Sequence, residues 1–299
     1  MPTVPDTLIA LGLRVGFKPL TRSVVPLPLQ RAVVELVGRF IPRTPGTRSR
    51  RTSLAALDTL CVSPPRPRTD LAVLHYHGGG FCTGSPAGEE ALATHLARAT
   101  GAVVYLPGYR RAPEHPYPAA EHDALAAYHA LADQSPRPTG IVVSGSSAGG
   151  ALALATARRL CAERRTPPVA VVLLSPWLDL TLSGESMSRV GRRDPFLTRS
   201  SLVAAATLYR PNARLRADAS PLFADLAGLP PLIVHSGRRE ILLSDAERLA
   251  VAARRQGVPV VHRTFDGMWH VFHLFAALSP TAARGMAILA ADIADATDV

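Results

Sequence analysis

The residues best suited to do chemistry lie in the stretch 141–152, where a serine stands between two glycines. Gly145, Ser147 and Gly149 have the Gly-x-Ser-x-Gly spacing of a nucleophile elbow, a sharp turn that joins a strand to a helix. The serine of such a turn is strained, and its small neighbours let strand and helix approach closely. An apolar run before Ser147 and an alanine-rich run after it supply these elements. The stretch predicts a nucleophilic serine at the end of a strand, facing a helix N-terminus that favours negative charge.

A run of three glycines after the predicted strand 70–76 suits a second requirement of acyl transfer. The tetrahedral intermediate carries a negative oxygen, which two or three backbone N–H donors must stabilise. Hydrolases with a nucleophile elbow carry a His-Gly-Gly-Gly-type loop for this purpose, and this chain has one at 77–80. We expect the N–H groups of Gly78, Gly79 and Ala148 to form the oxyanion hole.

A general base is needed because a serine hydroxyl is a poor nucleophile at neutral pH. In the chain order Ser, acid, His, the histidine follows the last strand, which is predicted at 260–265. The loop after this strand offers His270 and His273. His270 lies closer to the strand end, whereas His273 falls one turn into a helix. We expect His270 to be the base and His273 to be structural.

An acid that orients the histidine is expected after the predicted strand 232–235. Glu240 is the first carboxylate beyond that strand, and Asp245 follows it at a predicted helix start. Acidic residues at a helix N-terminus are commonly partners of the helix dipole. Glu240 is therefore the predicted triad acid, which would hold the imidazole tautomer and stabilise the imidazolium. Asp245 as the acid, and Glu240 as a surface ion pair with a neighbouring arginine, are the alternatives.

Other polar residues give no comparable signal. His75 and His77 form a His-x-His pair on one strand, but no third ligand is apparent, so no metal and no cofactor are expected. Cys61, Cys82 and Cys161 are far apart and form no Cys-x-x-Cys motif, which argues against a disulfide framework.

Strands and helices alternate regularly from residue 70 onward, which predicts an α/β fold with a mostly parallel central sheet flanked by helices. An edge strand is expected at 54–62. The other predicted strands are 70–76, 102–106, 141–143, 169–174, 232–235 and 260–265. The predicted helices between them are 89–99, 119–132, 151–161 and 244–256.

Two segments do not fit this alternation. Residues 1–50 carry a short amphipathic stripe interrupted by prolines, and about 60 residues separate the strands 169–174 and 232–235, far more than a crossover needs. We expect residues 1–50 and 178–217 to form a helical cap above the carboxyl ends of the strands, where ligands bind in open α/β sheets. Contact of the first segment with a membrane is the alternative. The catalytic domain then spans 51–299.

Composition excludes several classes of protein. The chain has 299 residues, 47% of them hydrophobic, and can bury a substantial core. Its net charge of +10 comes from scattered arginines, with Lys18 as its one lysine, so nucleic-acid binding is not expected, although weak attraction to an anionic membrane stays open. The sequence shows no apolar segment of membrane-spanning length and no signal-peptide pattern. We therefore expect a cytoplasmic protein without stable membrane insertion.

Three motifs, the loop 77–81, the elbow 145–150 and the loop 267–270, together resemble the hormone-sensitive-lipase-like α/β hydrolases, the bacterial family IV esterases. Further segments that resemble this family are 109–120 with Asp123, 175–181 and 220–222. The resemblance covers roughly 52–299 and implies an α/β-hydrolase fold with a helical cap. It also implies a carboxylic ester hydrolase without cofactor that acts on short to medium acyl chains, and relatives often form homodimers.

Two positions differ from the family pattern. Ser146 precedes the nucleophile where Asp or Thr is usual, and Glu240 ends a segment in which Gly-x-x-Asp is usual. Phe81, Trp177 and Trp269 are the aromatic residues expected to line an apolar acyl pocket.

Hydrolysis of a small ester through an acyl-enzyme is the function that these residues favour. A non-catalytic small-molecule receptor on the same fold is the alternative from another class, since fold does not determine function. Cleavage of amides, lactones or acetyl-sugars by the same triad is a third possibility.

Overall fold

The structure, a computed structural model, describes residues 4–134, 138–210, 212, 214, 216 and 219–297. Its centre is a sheet whose strands are β1 (Arg48–Leu54), β2 (Leu57–Ser63), β3 (Leu71–Tyr76), β4 (Val103–Pro107), β5 (Gly140–Ser146), β6 (Ala170–Leu174), β7 (Leu232–Gly237) and β8 (Val260–Phe265). They lie in the order β1-β2-β4-β3-β5-β6-β7-β8. From β4 to β8 all neighbours are parallel, whereas β1, β2 and β4 pair antiparallel. The predicted fold class is confirmed.

Helices cover both faces of this sheet. They are α1 (Asp6–Gly12), α2 (Leu27–Phe40), α3 (Glu90–Thr100), α4 (Ala119–Ala132), α5 (Ala148–Ala162), α6 (Ser186–Arg189), α7 (Arg199–Tyr209), α8 (Leu243–Arg255) and α9 (Pro280–Thr297). A π-helical turn at Leu13–Phe17 and a 3₁₀ turn at Lys18–Thr21 continue α1. The alanine-rich sequence of α5 favours helix and leaves little side-chain bulk between the helix and the sheet.

The central strands are buried on both faces because successive side chains point to opposite sides. Leu74 of β3 and Val143 of β5 belong to one apolar core, and their neighbours Val73 and Val142 belong to the other. This burial explains why these strands read as continuous apolar runs instead of alternating ones.

The edge of the sheet differs from expectation. Instead of one strand at 54–62, a hairpin places β1 and β2 antiparallel, with Leu54 paired to Leu57. The turn residues Ala55 and Ala56 have φ of +50° and +64° without being glycines. Because β1 is almost wholly exposed, it lacks the apolar pattern by which a strand is recognised.

The first predicted cap segment, 1–50, contains α1 and α2. The second, 178–217, contains α6 and α7. Residues 1–3 of the first segment and residues 211, 213, 215 and 217 of the second lie outside the described residues.

Candidate active site

The elbow has the predicted geometry. β5 ends at Ser146 and α5 begins at Ala148, and Ser147 between them has φ +53° and ψ −118°. A Cβ atom on Gly145 would lie 2.0 Å from the carbonyl oxygen of Gly149. A Cβ atom on Gly149 would lie 1.9 Å from the carbonyl oxygen of Tyr76 in β3. Both glycines are therefore required, because α5 begins in close contact with the backbones of β5 and β3.

The loop that carries His270 and the loop that carries Glu240 leave the sheet side by side, because Gly237 at the end of β7 pairs with Phe265 at the end of β8. His270 Nδ1 lies 3.8 Å from Glu240 Oε2, and the two side chains are 2% and 0% exposed. This distance is longer than a hydrogen bond. The burial of Glu240 raises the pKa of its carboxyl, and the neighbouring His270 acts in the opposite direction. His270 lines the same cavity as Ser147.

Asp245, the alternative acid, has another task. Its Oδ2 accepts the backbone N–H groups of Leu178 at 2.8 Å and Asp179 at 3.0 Å. Burial raises the pKa of Asp245 to about 7. Asp245 thus holds the chain after β6, and Glu240 is the carboxylate beside His270.

Asp194 is a buried carboxylate that the sequence did not single out. Its Oδ2 accepts the N–H of Ile241 at 2.8 Å, and its Oδ1 accepts those of Phe196 and Leu197 at 2.7 and 3.0 Å. Burial raises the pKa of Asp194, whereas the charge of His270 lowers it. Asp194 therefore ties the loop of Glu240 to the segment before α7. In the sequence it precedes a proline in a loop, which indicates only a turn.

Glu89 is a second carboxylate that the sequence did not reveal, and its side chain is 13% exposed. Its Oε1 accepts the N–H of Gly78 at 2.7 Å, and the hydroxyl of Ser146 lies 2.6 and 2.8 Å from its two oxygens. The Nε2 atom of His75 lies 3.0 Å from Oε2. Burial raises the pKa of Glu89, but the hydrogen bonds from His75 and Ser146 outweigh it, and the net pKa is lowered. A carboxylate thus joins the glycine loop, the elbow and β3.

The contact with Glu89 changes the expected set of oxyanion donors. The N–H of Gly78 already has a protein partner, so it is not available to a substrate oxygen in this structure. The N–H groups of Gly79, Gly80 and Ala148 donate to no residue that the structure describes. Gly79 and Gly80 line the cavity, with φ of +114° and +61°. The available donors are therefore Gly79, Gly80 and Ala148.

A cavity of about 400 Å³ opens beside Ser147. Most of its wall comes from the residues of α2 and the turns before it, from α7, and from the loop after His270. Apolar side chains that contribute to it are Phe17, Val34, Val37, Phe196, Leu202, Leu208, Leu274 and Phe275. The wall is well suited to an acyl chain.

The three aromatic residues expected in the pocket do not line this cavity. Phe81 stacks on Tyr209 with ring centroids 3.8 Å apart, and the indole N–H of Trp177 donates to the carbonyl oxygen of Asp179. Trp269 packs edge-on against a phenylalanine of the following loop. All three are fully buried in the core.

The His-x-His pair is also used within the protein. His75 lies between Glu89 and the hydroxyl of Ser144, and His77 stacks on Tyr109 at 4.1 Å. Burial lowers the pKa of His77 to about 4. Within the described ranges, no group of three or more His, Cys, Asp or Glu side chains is placed to hold a metal ion. Nor does any helix in those ranges have the length and apolar character needed to cross a membrane.

Comparisons with known proteins identify the fold and the family of the chain. A family model described as the α/β hydrolase fold matches residues 73–274. An esterase of Acinetobacter venetianus is 37% identical over 87% of this chain and 86% of its own length. An acetyl-hydrolase of Streptomyces hygroscopicus is 36% identical over 78% of each chain. The carboxylesterase/phospholipase LipF of Mycobacterium tuberculosis is 32% identical over 99% of this chain and 83% of its own length.

Solved structures are similar over nearly the whole chain. An esterase from the bacterial hormone-sensitive lipase family superimposes with a TM-score of 0.91 at 32% identity, covering 99% of this chain and 100% of its own. Fold and elbow together define an α/β hydrolase. Within that class the chain belongs to the hormone-sensitive-lipase-like, or bacterial family IV, esterases, and it is a carboxylic ester hydrolase.

Proposed function

We propose that the protein hydrolyses short to medium acyl esters through an acyl-enzyme formed on Ser147. The observation that carries this proposal is the shared cavity, which Ser147 and His270 both line while Glu240 lies behind His270. The cavity wall is apolar around these polar groups, as expected for an acyl-binding pocket.

In the first step the Ser147 oxygen attacks the ester carbonyl carbon while His270 accepts the hydroxyl proton. The N–H groups of Gly79, Gly80 and Ala148 stabilise the resulting oxyanion. The intermediate collapses as the bond to the alcohol oxygen breaks and His270 returns the proton to the leaving alcohol. Water then attacks the acyl-enzyme with His270 again as the base, which releases the acid and restores the serine.

Glu240 holds the imidazole in the tautomer that leaves Nε2 free to accept a proton. The separation of 3.8 Å between Glu240 and His270 shortens to a hydrogen bond when the imidazolium forms, as catalytic contacts commonly tighten on the substrate complex. Asp194 fixes the backbone of the residue after Glu240 and so positions this acid.

The segments 1–50 and 178–217 form the cap of this site. Their described residues supply much of the cavity wall, including Val34 from the first segment and Leu202 from the second. Substrate selection by acyl-chain length would then depend on these two segments. The homodimer and the absence of nucleic-acid binding stay predictions.

A p-nitrophenyl ester series from acetyl to palmitoyl tests the proposal with wild type, Ser147→Ala and Glu240→Gln. We expect turnover that favours short to medium chains, a fall in kcat of about 10⁶ in Ser147→Ala and of about 10⁴ in Glu240→Gln, as in the subtilisin triad. Full activity of Glu240→Gln would remove Glu240 from the triad. Binding of esters without turnover by folded wild-type protein would support the receptor alternative.

A further inference from the structure

The N-terminal segment presents an unusual amount of apolar surface. Among the residues that the structure describes, eleven large apolar side chains are exposed, and eight of them lie between residues 8 and 40. These eight are Leu8, Leu11, Val15, Leu20, Val24, Leu29, Leu36 and Phe40. Isolated exposed apolar residues are normal on proteins, whereas a concentration of them marks an interaction site.

The exposed residues follow helical spacing. Leu8, Leu11 and Val15 recur at i, i+3 and i+7 along α1 and the π-helical turn, while Leu13 and Phe17 of the same segment are buried in the core. This segment therefore has one apolar face against the protein and another toward solvent.

The second helix repeats the pattern. Leu29, Leu36 and Phe40 recur at i, i+7 and i+11 on α2, and Phe40 is 78% exposed. We call the eight exposed side chains together the apolar surface.

Basic residues accompany the apolar surface. Arg14, Lys18 and Arg22 follow one another at intervals of one helical turn. Lys18 is half-buried and donates to the carbonyl oxygen of Asp194, whereas Arg14 and Arg22 are exposed. Burial lowers the pKa of Lys18, the charge of Asp194 raises it, and the charges of Arg14 and Arg22 lower it. The carboxylate of Asp6 accepts the hydroxyl hydrogens of two polar residues near the start of α9, and Glu35 pairs with an arginine of α2. Between residues 1 and 43 six basic side chains stand against two acidic ones, Asp6 and Glu35, so the charge of this segment is positive.

The surface reaches the mouth of the cavity. Val24 is 85% exposed and also belongs to the cavity wall, together with Thr21 and Ser23. A binding partner that covered the apolar surface would therefore also contact the cavity that leads to Ser147.

We propose that the apolar surface docks on an anionic lipid bilayer, with the exposed Arg14 and Arg22 against the headgroups. Helices with exposed apolar faces and flanking basic residues bind in the interfacial plane of such membranes. A second copy of the chain would bring the same positive cluster against itself, so charge favours a negative partner. This proposal goes beyond the proposed function, because docking does not require that any ester be cleaved.

Flotation with vesicles of phosphatidylcholine alone, or with about one third phosphatidylglycerol, tests this proposal. All proteins carry Ser147→Ala, so that hydrolysis cannot change the lipid. We expect binding to the anionic vesicles only, and a drop of about 25-fold in the partition coefficient of Arg14→Gln/Arg22→Gln, since each basic residue near such a surface contributes about fivefold. Leu36→Ser/Phe40→Ser should weaken binding by at least about tenfold.

Matched controls lie elsewhere on the molecule. Arg254→Gln/Arg255→Gln at the end of α8 removes two exposed charges, and Val251→Ser/Val261→Ser removes two exposed apolar side chains. Both should bind vesicles as the parent does, and circular dichroism melts verify that every variant is folded. Absence of binding to either vesicle, or equal losses in surface and control variants, would overturn the proposal. A concentration-dependent dimer that Leu36→Ser/Phe40→Ser dissociates, without vesicle binding, would assign the surface to a second copy.

Discussion

The backbone N–H of Gly78 donates a hydrogen bond of 2.7 Å to Oε1 of Glu89. The same carboxylate accepts the hydroxyl hydrogen of Ser146, the residue before Ser147. One part-buried carboxylate therefore fixes the glycine loop and the nucleophile elbow relative to each other. Backbone N–H groups stabilise an oxyanion effectively only when they are already in position before the reaction. The contacts of Glu89 therefore affect how well the proposed oxyanion hole works.

Replacing Glu89 by glutamine should lower kcat with little change in KM. The amide oxygen can take the place of Oε1 and still accept from both Gly78 and Ser146, but a neutral oxygen is a weaker acceptor than a carboxylate. The amide NH2 group then occupies the place of Oε2 and faces Nε2 of His75. The glycine loop is held less firmly, so the donors at Gly79 and Gly80 lose part of their placement. We expect a fall in kcat of about 10- to 100-fold, less than the 10²–10³ of deleting a donor. Steady-state kinetics on p-nitrophenyl butyrate measure the effect.

Glu90→Gln is the matched control, because Glu90 pairs with Arg43 and touches neither loop. Its kcat should stay near wild type. Affinity for an alkyl boronic acid, which mimics the tetrahedral intermediate, should fall in Glu89→Gln in parallel with kcat. A rise in KM at unchanged kcat, or unchanged boronate affinity, would contradict a role in positioning the donors.

The sequence predicted those parts of the site that are local. The elbow needs a strand, a helix and two glycines within ten residues, and all of these can be seen as a pattern in the chain. His270 and Glu240 followed from chain order, because parallel strands bring the loops at their carboxyl ends to one edge.

The contacts of Glu89 could not be predicted in this way. It lies 11 residues from Gly78 and 57 residues from Ser146 in the chain, and it meets both only because β3 lies beside β5. In the sequence it was simply an acidic residue at a helix start. Phe81 was predicted to line the pocket but is buried in the core for a similar reason. It stacks on Tyr209 of α7, which is distant in the chain.

Gly145→Ala should abolish activity and destabilise the protein. The added Cβ would lie 2.0 Å from the Gly149 carbonyl oxygen, a backbone atom that cannot yield without opening the elbow. We expect a loss of about 3 kcal/mol or more in the free energy of unfolding, measured by urea denaturation. Gly12→Ala is the control: nothing lies within 4 Å of its added Cβ, and φ there is −56°. It should be neutral or stabilise by about 0.5–1 kcal/mol, and equal losses in both variants would refute the steric argument.

Ala205→Phe should shorten the preferred acyl chain. Ala205 lines the cavity beside Gly80, so a phenyl ring there fills space that longer chains need. We expect kcat/KM for octanoyl relative to acetyl esters to fall by about tenfold or more, as measured with the p-nitrophenyl series. Thr207→Phe places the same ring on the exposed side of α7 and should leave the ratio unchanged. An unaltered ratio in Ala205→Phe would show that acyl chains bind elsewhere.

The pH dependence of stability should change in Asp245→Asn. The folded-state pKa of Asp245 is about 7, raised from 3.8 by burial. Because this pKa is raised, the carboxyl of Asp245 binds its proton more tightly in the folded state than in the unfolded state. The protonated Asp245 therefore contributes to the free energy of unfolding in full below about pH 4, and this contribution is lost as pH rises through about 7. Asparagine stays neutral and can accept the same two backbone N–H groups. Relative to wild type, the variant should gain about 3 kcal/mol in free energy of unfolding between pH 5 and pH 8.

Urea denaturation at both pH values measures this gain, with the exposed Glu247→Gln on the same helix as the control. If wild type and Asp245→Asn lose stability equally over this range, Asp245 is already ionised in the folded protein at pH 5.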